Sequence, residues 1–151
     1  SRCSASWKHR PGDLGSWQLC GTCGNHQGMA AVFAYVSAAL VAAWGLAHAI
    51  PTRQVLASFA PITADNRRII LQEWLAEAFT MRGIAVIVIA ATAAPGTSDI
   101  RAWVYRAAST PLVGLGTLTA LTGARTPVIW FKICPALLAV AALLLLLASL
   151  Q

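Results

Sequence analysis

The stretch Pro61 to Pro95, PITADNRRIILQEWLAEAFTMRGIAVIVIAATAAP, joins a charged segment to an apolar helix and decides the fold. Thr63 or Asp65 can cap this helix, because either side chain can accept from the free N–H groups of the first turn. Pro95 ends it. A helix of about 25 residues rises roughly 37 Å, more than the hydrocarbon core of a bilayer, which is about 30 Å thick. The stretch therefore predicts a membrane-spanning helix over about residues 68–94.

Polar residues line one face of this helix. Asn66, Glu73, Glu77 and Thr80 are spaced so that they fall on a single stripe. Because an ionised side chain in lipid costs several kcal/mol unless it is paired or hydrated, these carboxylates must lie at the membrane surface or face the bundle. Glu73, near the helix start, is expected to be solvated. Glu77, about one turn deeper, is either a functional group or a member of a structural pair between helices.

Arg82 lies deeper still and on the opposite side of the helix. Three interpretations stay open for it: a buried structural partner, a residue of a polar pathway, or a helix that begins later than predicted.

The composition of the chain is typical of a membrane protein. Of 151 residues, 58% are hydrophobic and 11% are charged, whereas about 25% are charged in soluble domains. The net charge of +6 does not indicate nucleic acid, since the basic residues are spread over loops and helix ends instead of clustering with exposed aromatic residues. The predicted partner is the lipid bilayer, with a second copy or another membrane protein as a further partner.

Three more segments are long and apolar enough to cross a membrane. They cover about residues 29–50, 100–122 and 128–149. Residues 29–151 are therefore predicted to form an all-α, four-helix integral membrane bundle, preceded by a polar and disordered tail over residues 1–28. Such a bundle is predicted to cross the membrane several times.

The segments between and within the spans carry further local signals. Val55 to Ala60 is a short apolar piece that we expect to lie on the membrane surface. The third span begins with Arg, Trp and Tyr residues typical of a membrane interface and continues with small residues that suit close helix packing. Pro135 in the last span either kinks the helix or marks its first turn.

The N-terminal tail contains one metal-binding pattern, Cys20-Gly-Thr-Cys23-Gly-Asn-His26. Two thiolates and an imidazole at this spacing can bind one zinc ion, with an upstream Cys or His as the fourth ligand. Two alternatives stay open. The tail is disordered or is not translated, so that the protein starts near Met29, or Cys20 and Cys23 form a disulfide.

Four spans place the first and third connections on the same side of the membrane, so polar residues from three helices share one end. The residues gathered there are His48, Glu73, Glu77, Lys132 and Cys134. An acid beside a His and a Lys can transfer protons, and a thiol beside a cation can be activated. The alternative is an ion-paired plug that only holds the helices together.

Basic residues predict the orientation of this polar end. From residue 29 onward, five lie on its side of the membrane and two on the other, so the polar end is expected to face the cytoplasm. Including the three basic residues of the tail makes the two sides equal, and the orientation is then undetermined.

Several motifs give the chain a family resemblance. They are Trp44-Gly-Leu-Ala-His48, Pro51-Thr52-Arg53, Asp65-Asn-Arg-Arg-Ile69, Glu73-Trp74 with Glu77, and Arg125-Thr126 leading to Lys132-Ile-Cys-Pro135. With these motifs, the chain from Met29 onward resembles small bacterial four-span membrane proteins of the DoxX-like group. The resemblance implies a location in the bacterial inner membrane and a start near Met29, and it transfers no catalytic residues. The chain differs from the group at Ala78, where a glycine is expected, and at Arg82, where an apolar residue is expected.

The function expected from these patterns is an accessory component that binds a small ligand, lipid or partner at its polar end. A membrane oxidoreductase or quinone-linked subunit using His48, Glu77 and Cys134 is the first alternative. The second is a proton-coupled carrier that titrates at Glu77 and forms its pathway as an oligomer. The sequence assigns no cofactor, since it contains neither a haem-attachment motif nor a dinucleotide fingerprint, and it leaves open whether the protein is an enzyme.

Overall fold

The structure, a computed structural model, describes residues 21–59 and 61–151, with side chains from residue 27 onward. In that part of the chain it is all-helical, without strands, which confirms the predicted all-α class. The five α-helices are α1 (Gly21–Ala49), α2 (Thr52–Ser58), α3 (Ala64–Ala93), α4 (Ser98–Leu121) and α5 (Ile129–Ala148). A 3₁₀ turn, Gly123–Arg125, lies between α4 and α5.

Three of these helices are long and apolar enough to cross a membrane. Within the described residues they are Gln27–Ala49 of α1, the whole of α3 and the whole of α5. α4, with 24 residues, is long enough at about 1.5 Å per residue. However, the charged residues at its start and its Ser, Thr, Gly and Pro residues lower its hydropathy, so it does not belong to this set.

α3 begins earlier than the predicted span because its cap lies at Thr63. The Thr63 hydroxyl accepts a hydrogen bond from the Asn66 N–H at 3.2 Å. Asp65, the other predicted cap, instead lies in the first turn and pairs with Arg68 at 3.0 Å, both side chains being exposed. The charged first turn of α3 thus belongs to the helix.

α1 begins at Gly21, so the tail boundary predicted at residue 28 falls inside a helix. Residues 1–20, and the side chains of residues 21–26, lie outside the described part of the chain. The zinc ligands predicted at Cys20, Cys23 and His26 therefore fall outside it.

The first connection contains α2, which covers most of the apolar piece predicted from Val55 onward. Its one buried residue is Leu56, and the short helix packs on α3. Phe59, just after its end, is half-exposed. Part of the apolar side of α2 thus packs on α3, and the rest lies at the protein surface.

Prolines lie inside both α4 and α5. Pro135 follows Ile129 by more than one turn, so it is not in the first turn of α5, and that alternative is wrong. Pro111 occupies a similar interior position in α4. Because proline lacks an N–H group, the carbonyl groups of Ala107 and Phe131 have no helical hydrogen bond from the residue four positions later.

The helices pack with α1 against both α3 and α5, and with α5 against α4. Hydrogen bonds also join the helices. Between α1 and α5, the buried Ser37 hydroxyl donates to the Ala141 carbonyl oxygen at 2.8 Å. Beside the turn that joins α3 to α4, the Thr92 and Tyr105 hydroxyls lie 2.9 Å apart.

Gly45 marks a close approach of α1 to α3. A Cβ at this position would lie 3.0 Å from the Met81 Cβ and 3.1 Å from the Ala78 carbonyl oxygen. Ala78 is fully buried. The glycine expected in α3 at position 78 is thus not needed, because the small residue of this contact is on α1.

Candidate functional site

His48, in the last turn of α1, meets Glu77 of α3. The His48 Nε2 lies 3.5 Å from the Glu77 Oε2. The His48 side chain is 8% exposed and the Glu77 side chain is 27% exposed. The pair thus lies just below the surface at the end of the bundle where α1 ends, with the carboxylate on the more open side.

Trp74 holds His48 in place in two ways. Its ring stacks on the imidazole, with the ring centroids 3.8 Å apart and the planes 20° from parallel. Its indole N–H donates to the His48 carbonyl oxygen at 2.9 Å. Trp74 also meets the Phe131 ring of α5 in a T-shaped arrangement, at 6.4 Å between centroids. Both the backbone and the ring of His48 are therefore positioned by α3, and α5 supports that arrangement.

The His48 Nε2 is the unusual atom of this arrangement. Hydrogen bonds between N–H groups and oxygen are about 2.7–3.2 Å long, so the Glu77 oxygen at 3.5 Å is too distant to make a good one. In the described part of the chain, this nitrogen is buried and has no hydrogen-bond partner. A buried polar group left in this state costs about 1–3 kcal/mol. The site therefore has an unused hydrogen-bonding position beside a carboxylate.

Cys134 lies on the α5 side of the same end. Its sulfur accepts a hydrogen bond from the Trp44 indole N–H at 3.2 Å. The residue is 4% exposed, so the thiol is covered by its neighbours. Here the sulfur serves as the acceptor for a half-buried indole, and Trp44 links α1 to α5 one turn before His48.

Glu73 and Lys132, also predicted at this end, are both exposed. Neither takes part in an ion pair among the described residues, whose two ion pairs are formed by other side chains. The structure therefore brings His48, Glu77 and Cys134 together with two tryptophans and leaves Glu73 and Lys132 on the surface. The solvated position expected for Glu73 agrees with this placement.

Arg82 is not the buried structural partner that was one of its interpretations. The residue is half-buried. Its Nε donates to the Ala78 carbonyl oxygen at 3.3 Å, and its guanidinium carbon lies 5.0 Å from the centroid of the Phe79 ring. It forms no ion pair with any acidic side chain in the described ranges.

The chemistry that these groups can perform is hydrogen bonding and proton exchange. Across the described residues, no group of three or more His, Cys, Asp and Glu side chains can hold a metal ion. His48 can donate or accept at Nε2, and Glu77 can accept or, when protonated, donate. The pair can thus bind a small polar group.

Trp74 is the member of the site that reasoning from the sequence did not assign. It precedes Glu77 by three residues, which places both on one face of α3. That spacing is the signal that could have identified it as a neighbour of His48.

Over its described residues the protein is all-helical, with three helices able to cross a membrane and a shielded histidine–carboxylate pair at one end. Comparison with protein-family models, with curated proteins and with solved structures found no match to this chain. The resemblance to DoxX-like proteins therefore stays a prediction.

Proposed function

We propose that this chain is a four-span integral membrane protein of the bacterial inner membrane that acts as an accessory, ligand-binding component. The ligand is a small polar molecule held at the end of the bundle by His48 and Glu77. The observation that carries this proposal is the buried His48 Nε2, which lacks a hydrogen-bond partner within the described chain and lies next to a partly open carboxylate.

The hydrogen bonds of α4 support its role as the fourth span. Several of its hydroxyl groups donate to carbonyl oxygens of the same helix: Ser109 and Thr110 to Arg106, Thr119 to Leu115, and Thr122 at the helix end to Leu118. Hydroxyls satisfied in this way carry a smaller cost in lipid than free ones. A helix that is only moderately apolar can therefore cross a membrane, especially when it packs along α5.

Reporter fusions test the number of spans. A reporter that is active on only one side of the membrane is fused after Gly96 in one protein and after Thr126 in another. If α4 crosses the membrane, the two fusions should show opposite activities, because the α3–α4 and α4–α5 connections then lie on opposite sides. Equal activities would mean that α4 does not cross, and the four-span arrangement would be wrong.

The geometry of the site restricts the kind of ligand. One hydrogen-bonding group of the ligand has to reach Nε2, which is shielded by the stacked Trp74 ring, while Glu77 is open enough to meet the rest of a polar molecule. A hydroxyl or carbonyl group meets the first requirement. Small molecules carrying such a group are therefore the expected ligands.

Two glutamates of α3 provide a matched pair of variants for testing the site. Native mass spectrometry of protein purified in mild detergent measures the ligand that each variant retains. Wild-type protein and Glu73→Gln, which changes an exposed carboxylate one turn away, should carry the same added mass. Glu77→Gln should lose it, while its melting temperature stays within about 2 °C of wild-type protein stripped of the ligand, since the substitution is nearly isosteric and removes no good hydrogen bond.

Two other results would contradict ligand binding. If wild-type protein carries no added mass, the site holds no stable ligand under these conditions of purification, and the proposal fails. If Glu77→Gln instead lowers the melting temperature by several degrees while Glu73→Gln does not, the histidine–carboxylate pair is a structural plug.

A quinone-binding membrane subunit is the second candidate, and the same pair favours it, because a quinone carbonyl oxygen can accept a hydrogen bond from an imidazole N–H. Cys134 is covered and already accepts from Trp44, so it has no evident part in such binding. A Cys134→Ser variant with unchanged quinone-dependent turnover would exclude the thiol from the mechanism.

A further inference from the structure

Arg82 is a cation on the outer side of the α1–α3 contact. Its side-chain stem crosses Gly45 of α1, where the Arg82 Cγ lies 3.5 Å from the position that a Cβ would occupy. The stem is thus packed between two helices, and the guanidinium group lies beyond it. Long cationic side chains in membrane helices adopt this arrangement when their apolar stem is buried and their charged end turns toward the interface.

The direction of the Arg82 side chain agrees with such an arrangement. Its two neighbours in α3, Ala78 and Phe79, both precede it, so the guanidinium group points back toward the start of the helix. Arg82 lies eight residues after Trp74, which corresponds to about 12 Å along the helix axis. Because Trp74 donates a hydrogen bond to the His48 carbonyl oxygen at the end of α1, the Cα of Arg82 lies well inside the span. Its guanidinium group points back toward the end of the bundle that carries His48.

The charge of this guanidinium is not matched by the part of the chain that the structure describes. Nε donates to a backbone oxygen, but neither terminal nitrogen has a hydrogen-bond partner there. The acidic side chain nearest to it in sequence, Glu77, is directed at His48. A cation facing lipid is costly unless it is paired, so the guanidinium group needs an anionic partner from outside the chain.

We infer that Arg82 binds the phosphate group of an anionic phospholipid. A guanidinium group offers two parallel N–H donors that match two phosphate oxygens. The exposed side chains around it are apolar: Phe79 is 64% exposed, and Leu46 and Val86 are also exposed. Acyl chains can cover that surface, while the carboxylate of a second protein copy would have to be placed in it at high cost.

This inference rests on the proposed membrane-spanning arrangement of α1 and α3 but does not depend on the His48–Glu77 site. The basic residues Arg53, Arg67 and Arg68 at the same end add attraction for an anionic membrane surface. These three side chains are exposed, so they should attract anionic lipids without fixing their position. Arg82 should instead bind one lipid molecule at one position.

Lipid titration followed by native mass spectrometry tests the site. Palmitoyl-oleoyl phosphatidylglycerol and palmitoyl-oleoyl phosphatidylcholine are added in parallel to the full chain in mild detergent. Wild-type protein should bind the first phosphatidylglycerol molecule more tightly than phosphatidylcholine. Arg82→Gln should weaken the binding of phosphatidylglycerol about fivefold, as expected for one cation near a phosphate. It should weaken phosphatidylcholine binding less, because the choline cation offsets the charge of that phosphate.

Two further variants separate the site from general attraction. Arg68→Gln removes a basic residue that is exposed and already paired with Asp65, and it should retain wild-type selectivity. Arg82→Lys should be intermediate, because it keeps the charge and loses the two-pronged geometry.

Three results would overturn the inference. One is equal binding of the two lipids by wild-type protein, a measurement that does not require any variant to fold. Another is unchanged selectivity in Arg82→Gln. The third is a change in oligomeric state in Arg82→Gln without a change in lipid binding, which would assign the guanidinium to a contact with a second copy. These three results keep the same meaning for Arg82 if the His48–Glu77 pair binds no ligand.

Discussion

Replacing Gly45 with alanine adds a methyl group where α1 lies close to α3. The new Cβ would lie 3.0 Å from the Met81 Cβ and 3.1 Å from the Ala78 carbonyl oxygen, while carbon atoms pack best at about 3.5–4.0 Å. Neither neighbour can rotate away, because one is a backbone atom and the other is attached directly to the backbone. The helices must therefore separate by roughly 0.5 Å or more.

The expected cost follows from two opposing effects. Overpacking of this kind costs about 1–3 kcal/mol, and the better helix propensity of alanine returns about 1 kcal/mol. Gly83→Ala is the matched control, since Gly83 lies in α3 and a Cβ there would meet nothing within 4 Å. Both variants gain the same propensity, so the difference between their free energies of unfolding isolates the contact at Gly45, with an expected value of about 2 kcal/mol.

Thermal unfolding in mild detergent measures this difference. For a chain of this size, 2 kcal/mol corresponds to about 4–8 °C, with Gly45→Ala melting below Gly83→Ala. The helix separation should also weaken the hydrogen bond from Trp74 to the His48 carbonyl, which is now 2.9 Å long. Equal melting temperatures for the two variants would refute the close approach of α1 and α3.

Substitutions at three further positions probe single interactions. Ser37→Ala removes the buried hydrogen bond to the Ala141 carbonyl oxygen at 2.8 Å, and chemical unfolding in detergent should show that the free energy of unfolding falls by about 1 kcal/mol. An unchanged free energy of unfolding would mean that water or another group satisfies that carbonyl. Cys134→Ala leaves the Trp44 indole N–H without its acceptor and should destabilise the fold by about 1–2 kcal/mol. Cys134→Ser should melt closer to wild type, and the reverse order would contradict the hydrogen bond. Thr63→Ala removes the cap of α3 and should cost about 1 kcal/mol, measured as lower helix content on heating by circular dichroism.

The helical class and most helix positions could be predicted from the apolar runs and their breakers. Thr63 was one of two suitable caps, and only the hydrogen bond to the Asn66 N–H decides between them. The start of α1 at Gly21 could not be predicted, because a polar run without periodicity gives no local reason for a helix. The sequence of α4 does not decide whether this helix crosses the membrane, since its composition lies between those of a membrane span and a surface helix.

Part of the candidate site followed from register alone. Placing the end of the first span beside the start of the second brought His48 next to Glu77, as the structure has it. Register gives the depth of a residue but not the direction of its side chain, so Glu73 and Lys132 shared the same predicted end and yet lie on the surface. The spacing of Trp74 from Glu77 places both on one face of α3, but the stacking of its ring on His48 also depends on how α1 and α3 are rotated about their axes, which that spacing does not give.

The interior prolines of α4 and α5 have a consequence for the order in which these helices open. Pro135 divides the hydrogen-bond ladder of α5, so the turns from Ile129 to Cys134 are held less firmly than the long apolar run after them. In α4, Pro111 divides the ladder in the same way. Amide protons of the first turns of α5 should therefore exchange with deuterium earlier than those near Leu145. The segment of α5 that carries Cys134 can open locally when a molecule binds, while the rest of the helix keeps the bundle assembled.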